Sequence, residues 1–109
     1  MERAEYVRLV LDAYRSTPGV VGVVRRADRL LAGELFDRGV ALKTVQDAFV
    51  LAASRRMTRS EGATPLGLVR SLAYFSPVID EVLESNVTSQ YFEYLRQRLA
   101  RASSRSSRE

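Results

Sequence analysis

Only one segment of this chain reads as a β-strand, the β-branched run Val20-Val21-Gly22-Val23-Val24. A sheet needs at least two strands, and no second candidate occurs elsewhere. Val20–Val24 is therefore expected to be a buried extended lead-in, or already the first turn of a helix. Most of the remaining chain carries apolar residues at helical spacing, which predicts an all-α fold.

The spacing predicts five helices. Helix 1 covers 3–15, with Tyr6, Val7, Val10, Leu11 and Tyr14 on one face. Ser16-Thr17-Pro18-Gly19 ends it, because Pro18 cannot continue a helix. Helix 2 covers about 24–38 and offers Ala27, Leu30, Leu31, Leu35 and Phe36 to the core. Gly33 inside it costs roughly 1 kcal/mol against alanine, which a close helix crossing or simple neutrality would explain. Gly39 suits the left-handed position after the helix end. Helix 3 covers about 42–57 through Leu42, Val45, Ala48, Phe49 and Ala52, and Thr44-x-x-Asp47 could cap it and move its start to 45. A polar loop follows at 58–64.

Thr64-Pro65 reads as a cap with proline at the first helical position. Helix 4 then carries Leu68, Leu72, Phe75, Ile79 and Val82 at 4-3-4-3 spacing. Pro77 either kinks it or opens a new helix capped by Ser76. Residues 86–89 form a short linker, and helix 5 covers about 89–101 with Tyr91, Phe92, Leu95 and Leu99 apolar. The whole is expected to be one compact helical domain, 1–101, with a disordered, basic Ser/Arg-rich tail at 102–109.

Composition narrows the chemistry. The 109 residues contain no histidine and no cysteine. The commonest general base, the commonest metal ligand and the thiolate nucleophile are therefore all missing. Asp80, Glu81 and Glu84 share a helical surface, but hard cations usually require more oxygen ligands. The single lysine, Lys43, is in no Ser-x-x-Lys motif, and no glycine-rich phosphate loop is present. Tyr91 and Tyr94 near Arg96 and Arg98 lack the larger constellation that tyrosine-based strand transfer needs. No catalysis, metal or cofactor is expected. No apolar run reaches the ~20 residues of a membrane span, and the charged N-terminus does not read as a signal peptide. A cytoplasmic protein without a membrane partner is expected.

The net charge is +4, from 17 basic and 13 acidic residues. Sixteen of the basic residues are arginine, whose planar fork grips two phosphate oxygens at once. They cluster. Arg55, Arg56 and Arg59 lie at the end of helix 3 and in the loop after it, and Arg96, Arg98 and Arg101 run along helix 5 into the tail. Such clusters suit a polyanion, although a solvated surface would show them too. Tyr74 and Tyr94 are the aromatics most free to stack on bases.

The segment Leu31–Ala53, LAGELFDRGVALKTVQDAFVLAA, resembles the helix-turn-helix of bacterial DNA-binding domains, through Gly39-Val40-Ala41-Leu42-Lys43-Thr44-Val45. The resemblance implies outward-facing positions 43, 44, 46 and 47. Lys43 and Thr44 would touch phosphate or a base edge, Gln46 would read adenine, and Asp47 would accept from cytosine. A plain helical hairpin with a glycine cap fits the same residues. Most of the chain, through DRLLAGELFDRGVAL, LAASRRM, PLGLVRSLAYFSPVIDEVL and YFEYLRQRL, also resembles small uncharacterised helical proteins of bacterial mobile elements and replication or recombination loci. Two functions are therefore expected to compete. One is a non-catalytic nucleic-acid-binding accessory protein, with DNA favoured over RNA. The other is a helical interaction subunit of a larger assembly, with a protein partner or a further copy of itself.

Overall fold

The computed structural model describes residues 1–58, 67–85 and 89–108, with side chains in the last stretch from 90 to 101. The fold is all-α. The described residues form five helices, α1 (Arg3–Ser16), α2 (Arg26–Asp37), α3 (Leu42–Met57), α4 (Ser76–Glu84) and α5 (Ser89–Arg108), with a 3₁₀ turn at Leu72–Phe75 before α4. The tail expected at 102–109 falls where side chains lie outside the described residues. No described helix is long and apolar enough to cross a membrane.

α3 is the central element. It touches α1, α4, α5 and the 3₁₀ turn. Its sequence explains this place, because Val45, Ala48, Phe49, Leu51, Ala52, Ala53 and Ser54 are all buried and leave little polar face. The small side chains let neighbouring helices approach closely. Val10 and Tyr14 of α1, Ala32 and Leu35 of α2, and Leu72, Phe75 and Ile79 close the main core around it. At its centre Phe49 and Phe75 meet edge to face at 4.8 Å, and Tyr14 meets Phe75 at 6.0 Å. A smaller cluster of Leu51, Phe92 and Leu95 seats α5 on α3.

The α2–α3 turn is a Schellman cap. Gly39 has φ 75°, its N–H donates to the Phe36 carbonyl, and the Val40 N–H donates to the Leu35 carbonyl. Tyr6 locks this turn by donating its hydroxyl to the Val40 carbonyl at 2.7 Å. Burial pushes the Tyr6 and Tyr14 hydroxyls above the ordinary 10.0, and for Tyr14 the nearby Asp28 charge adds to the effect. The glycine inside α2 lies under a side chain of α1. A Cβ on Gly33 would collide with the Arg3 guanidinium. Arg3 lies across α2 at this point to reach Asp37 at 3.1 Å.

Several expectations are corrected. α2 starts at Arg26, so Val20–Val24 is not its first turn; the run does have a partner, one parallel bridge from Val20 to Val69. The Val69 N–H donates to the Gly19 carbonyl at 2.8 Å, and the Val21 N–H donates to the Val69 carbonyl at 2.9 Å. The proposed helix start at Thr64-Pro65 lies outside the described residues. The described residues 67–71 are not helical, and the α-helix begins only at Ser76 with Pro77 in its first turn. The reason is that the backbone of 69–72 is claimed by other partners. Val69 is held by the bridge, and the Leu72 N–H donates to the buried Asp28 carboxylate at 2.9 Å. Leu30 and Leu68, expected in the core, are 55% and 56% exposed. Phe75, Ile79, Phe92 and Leu95 are buried as expected.

Candidate functional site

The residues expected to contact nucleic acid separate into two groups, those whose charge is spent inside the molecule and those that face outward. α3 carries most of the first group. Asp47, expected to face a groove, is buried at 5% exposure. Two cations hold it there. Lys43 donates to one carboxylate oxygen at 3.1 Å, and Arg96 of α5 donates to the other. Arg96 is thereby turned inward and joins α5 to α3. Asp47 also does not cap α3, which begins at Leu42 after Ala41 without a side-chain cap. Thr44 and Gln46 are half-buried, and Gln46 sits in a crevice beside Phe49, Val50 and Leu99. Among positions 43, 44, 46 and 47, only Lys43 is exposed.

The arginines at the end of α3 are also engaged. Arg55 forms a two-pronged pair with Glu81 of α4, one prong at 2.7 Å. This bond holds the Glu81 carboxyl below its usual range and raises the Arg55 guanidinium. Arg56 donates to the Gly67 carbonyl at 2.6 Å and to the Tyr74 hydroxyl at 3.2 Å, and its guanidinium lies 5.7 Å from the Tyr74 ring centre. It is a strut between α3 and the segment leading to the 3₁₀ turn. Tyr74, expected to be free for stacking, is tied to Arg56 through its hydroxyl. Arg59 lies outside the described residues.

α5 carries the second group. Arg98 and Arg101 are exposed and have no acidic partner among the described residues. Arg98 lies 5.9 Å from the ring centre of Tyr94, which is 54% exposed. Tyr91, expected to pack into the core, is 46% exposed. Tyr91, Tyr94, Arg98 and Arg101 recur at 3-4-3 spacing, so they form one stripe along the helix beside the Phe92–Leu95–Leu99 face. The same spacing continues in the sequence at Arg105 and Arg108.

A further basic surface escaped the sequence reading. Between α1 and the start of α2 lies an open groove of about 680 Å³. Val7, Leu11 and Leu30 form an aliphatic floor, and Arg8, Arg15 and Arg29 stand along its rim. Asp12 lies between Arg8 and Arg15 at 3.6 and 3.0 Å. Arg25, Arg26 and Arg29 crowd the first turn of α2, where the helix dipole already disfavours positive charge by about 0.3–1 kcal/mol each. That crowding was the available signal.

Among the described residues, no group of acidic side chains is arranged to hold a metal ion. In comparisons with known proteins, no family model, curated protein or solved structure matches the chain.

Proposed function

We propose that the protein is a non-catalytic nucleic-acid-binding accessory protein whose contact surface is the Tyr91–Tyr94–Arg98–Arg101 stripe of α5. One observation carries this reading. Arg98 and Arg101 are exposed without acidic partners and share a stripe with two exposed tyrosines, whereas Lys43, Arg55, Arg56 and Arg96 are already bonded inside the molecule. Arginine forks neutralise phosphates, and tyrosine rings beside them offer faces on which bases stack. Three residues of helix separate Arg98 and Arg101 by about 4.5 Å along the axis, so both can contact one stretch of phosphate backbone. The helix-turn-helix hairpin is not the contact in this reading. α3 is enclosed by its neighbours, and the residue that would read cytosine holds the fold together.

The test is fluorescence anisotropy of a labelled random-sequence DNA duplex over a salt titration, with single-stranded RNA in parallel. Arg98→Gln with Arg101→Gln is expected to lower the slope of log affinity against log salt on the duplex by about 2. Arg55→Gln with Glu81→Gln, which removes a pair already neutral, is expected to leave the slope unchanged. Absence of binding to both probes at low salt rejects the proposal.

A further inference from the structure

The α1–α2 groove pairs two features that a solvated surface rarely combines. Its floor is aliphatic, with Leu30 more than half exposed, and its rim is arginine. No aromatic side chain lines it, so it offers nucleobases no stacking surface. An occupant that satisfies both features is a helix presenting an aliphatic side chain flanked by carboxylates. The chain itself carries such a helix. On α4, Leu83 is 46% exposed, and Asp80 and Glu84 are exposed beside it.

We propose that the α1–α2 groove of one copy receives the α4 ridge of a second copy. Arg8, Arg15 and Arg29 on the rim, with Asp12 between the first two, outnumber the rim's acids and face Asp80 and Glu84 on the ridge. Arg8 and Arg15 stand about 10 Å apart along α1 and Asp80 and Glu84 about 6 Å apart along α4, a difference that the long arginine side chains can span. Leu83 then covers Leu30, and both leave water. Glu84 has no cationic partner among the described residues, and Asp80 has only Arg38 at 3.6 Å, a surface pair worth about 0–1 kcal/mol. Little is therefore given up when the ridge turns to the groove of a neighbour. Groove and ridge are different surfaces of one chain, so the contact is head to tail and adds copies in a row. This inference is independent of what α5 binds.

The experiment is sedimentation velocity of the full chain over rising concentration, at low and high salt, without nucleic acid. Low-salt association that weakens with salt is expected. The groove reversal (Arg8→Glu, Arg15→Glu, Arg29→Glu) and the ridge reversal (Asp80→Arg, Glu84→Arg) are each expected to weaken it by about tenfold or more. Mixed together, the two reversals set the glutamates of one variant's groove against the arginines of the other's ridge and associate again. Leu30→Ser and Leu83→Ser change exposed side chains and supply folded variants, checked by circular dichroism, should a reversal fail to fold; each is expected to weaken association. A wild-type chain that stays monomeric at low salt overturns the proposal. So does association unaffected by the groove variants, or a mixture of folded reversals that remains monomeric.

Discussion

Replacing Asp28 by asparagine tests how the 3₁₀ turn is held. Asp28 is 2% exposed and has no side-chain cation bonded to it among the described residues. Its two oxygens do separate jobs. One accepts the Arg25 N–H at 2.9 Å and closes the start of α2, and the other accepts the buried Leu72 N–H at 2.9 Å, 44 residues away. Asparagine keeps the shape but only one oxygen. Its amide nitrogen must then face a backbone N–H, leaving one donor opposite another. A hydrogen bond to a charged acceptor contributes about 1.5–3 kcal/mol, and an unsatisfied buried donor costs about 1–3 kcal/mol. The two overlap, so Asp28→Asn is expected to cost about 2–4 kcal/mol, a large part of the stability of a domain this size. Urea unfolding at neutral pH should show the midpoint falling with its slope unchanged, and thermal unfolding should fall by about 10–20 °C. Asp28→Ala should be at least as damaging. A change within about 0.5 kcal/mol for Asp28→Asn would refute the reasoning, because that is the scatter of ordinary surface substitutions.

Two further outcomes follow from the same packing. The Tyr6 and Tyr14 hydroxyls titrate higher in the folded chain than in the unfolded one; their contribution is complete below the unfolded value of 10.0 and is lost as pH rises through the folded values. Urea midpoints should therefore fall above pH 10, and Tyr6→Phe with Tyr14→Phe should flatten that fall; an unchanged alkaline limb would count against the burial argument. Gly39→Ala should cost about 1 kcal/mol, because φ is 75° and a Cβ there meets nothing within 4 Å, so the penalty is conformational alone; Gly39→Asn should cost less by the same urea assay, and equal losses would point to a steric cause instead.

How far the sequence could be read depended on the separation of the interacting residues. α1, α3 and the Gly39 cap were legible because each is written in local spacing. The stretch 65–75 was not. Leu68, Leu72, Phe75, Ile79 and Val82 fall at helical intervals, yet the bonds that keep 69–72 out of a helix come from Gly19 and Asp28, far away in sequence. The same limit applies to the arginines. Arg55 and Arg56 resemble Arg98 and Arg101 as letters, and only the packing reveals that Glu81 and the Gly67 carbonyl consume the first two. Asp47 and Arg96 are 49 residues apart, so nothing local disclosed that one neutralises the other.

The tie from Asp28 to Leu72 and the bridge from Val20 to Val69 also shape how the chain reaches its fold. Helical domains fold quickly because their contacts are close in sequence. Here the main long-range clasps join the α1–α2 connection and the start of α2 to a segment beyond α3. Bringing the Asp28 and Leu72 ends together costs about 3 kcal/mol of loop-closure entropy beyond a constant. Residues 3–57 can form their helices and the Gly39 cap before that loop closes. The backbone at Val69 and Leu72, with α4 behind it, is the late-arriving part, and its amides are the ones whose hydrogen exchange reports when the second half of the core has docked.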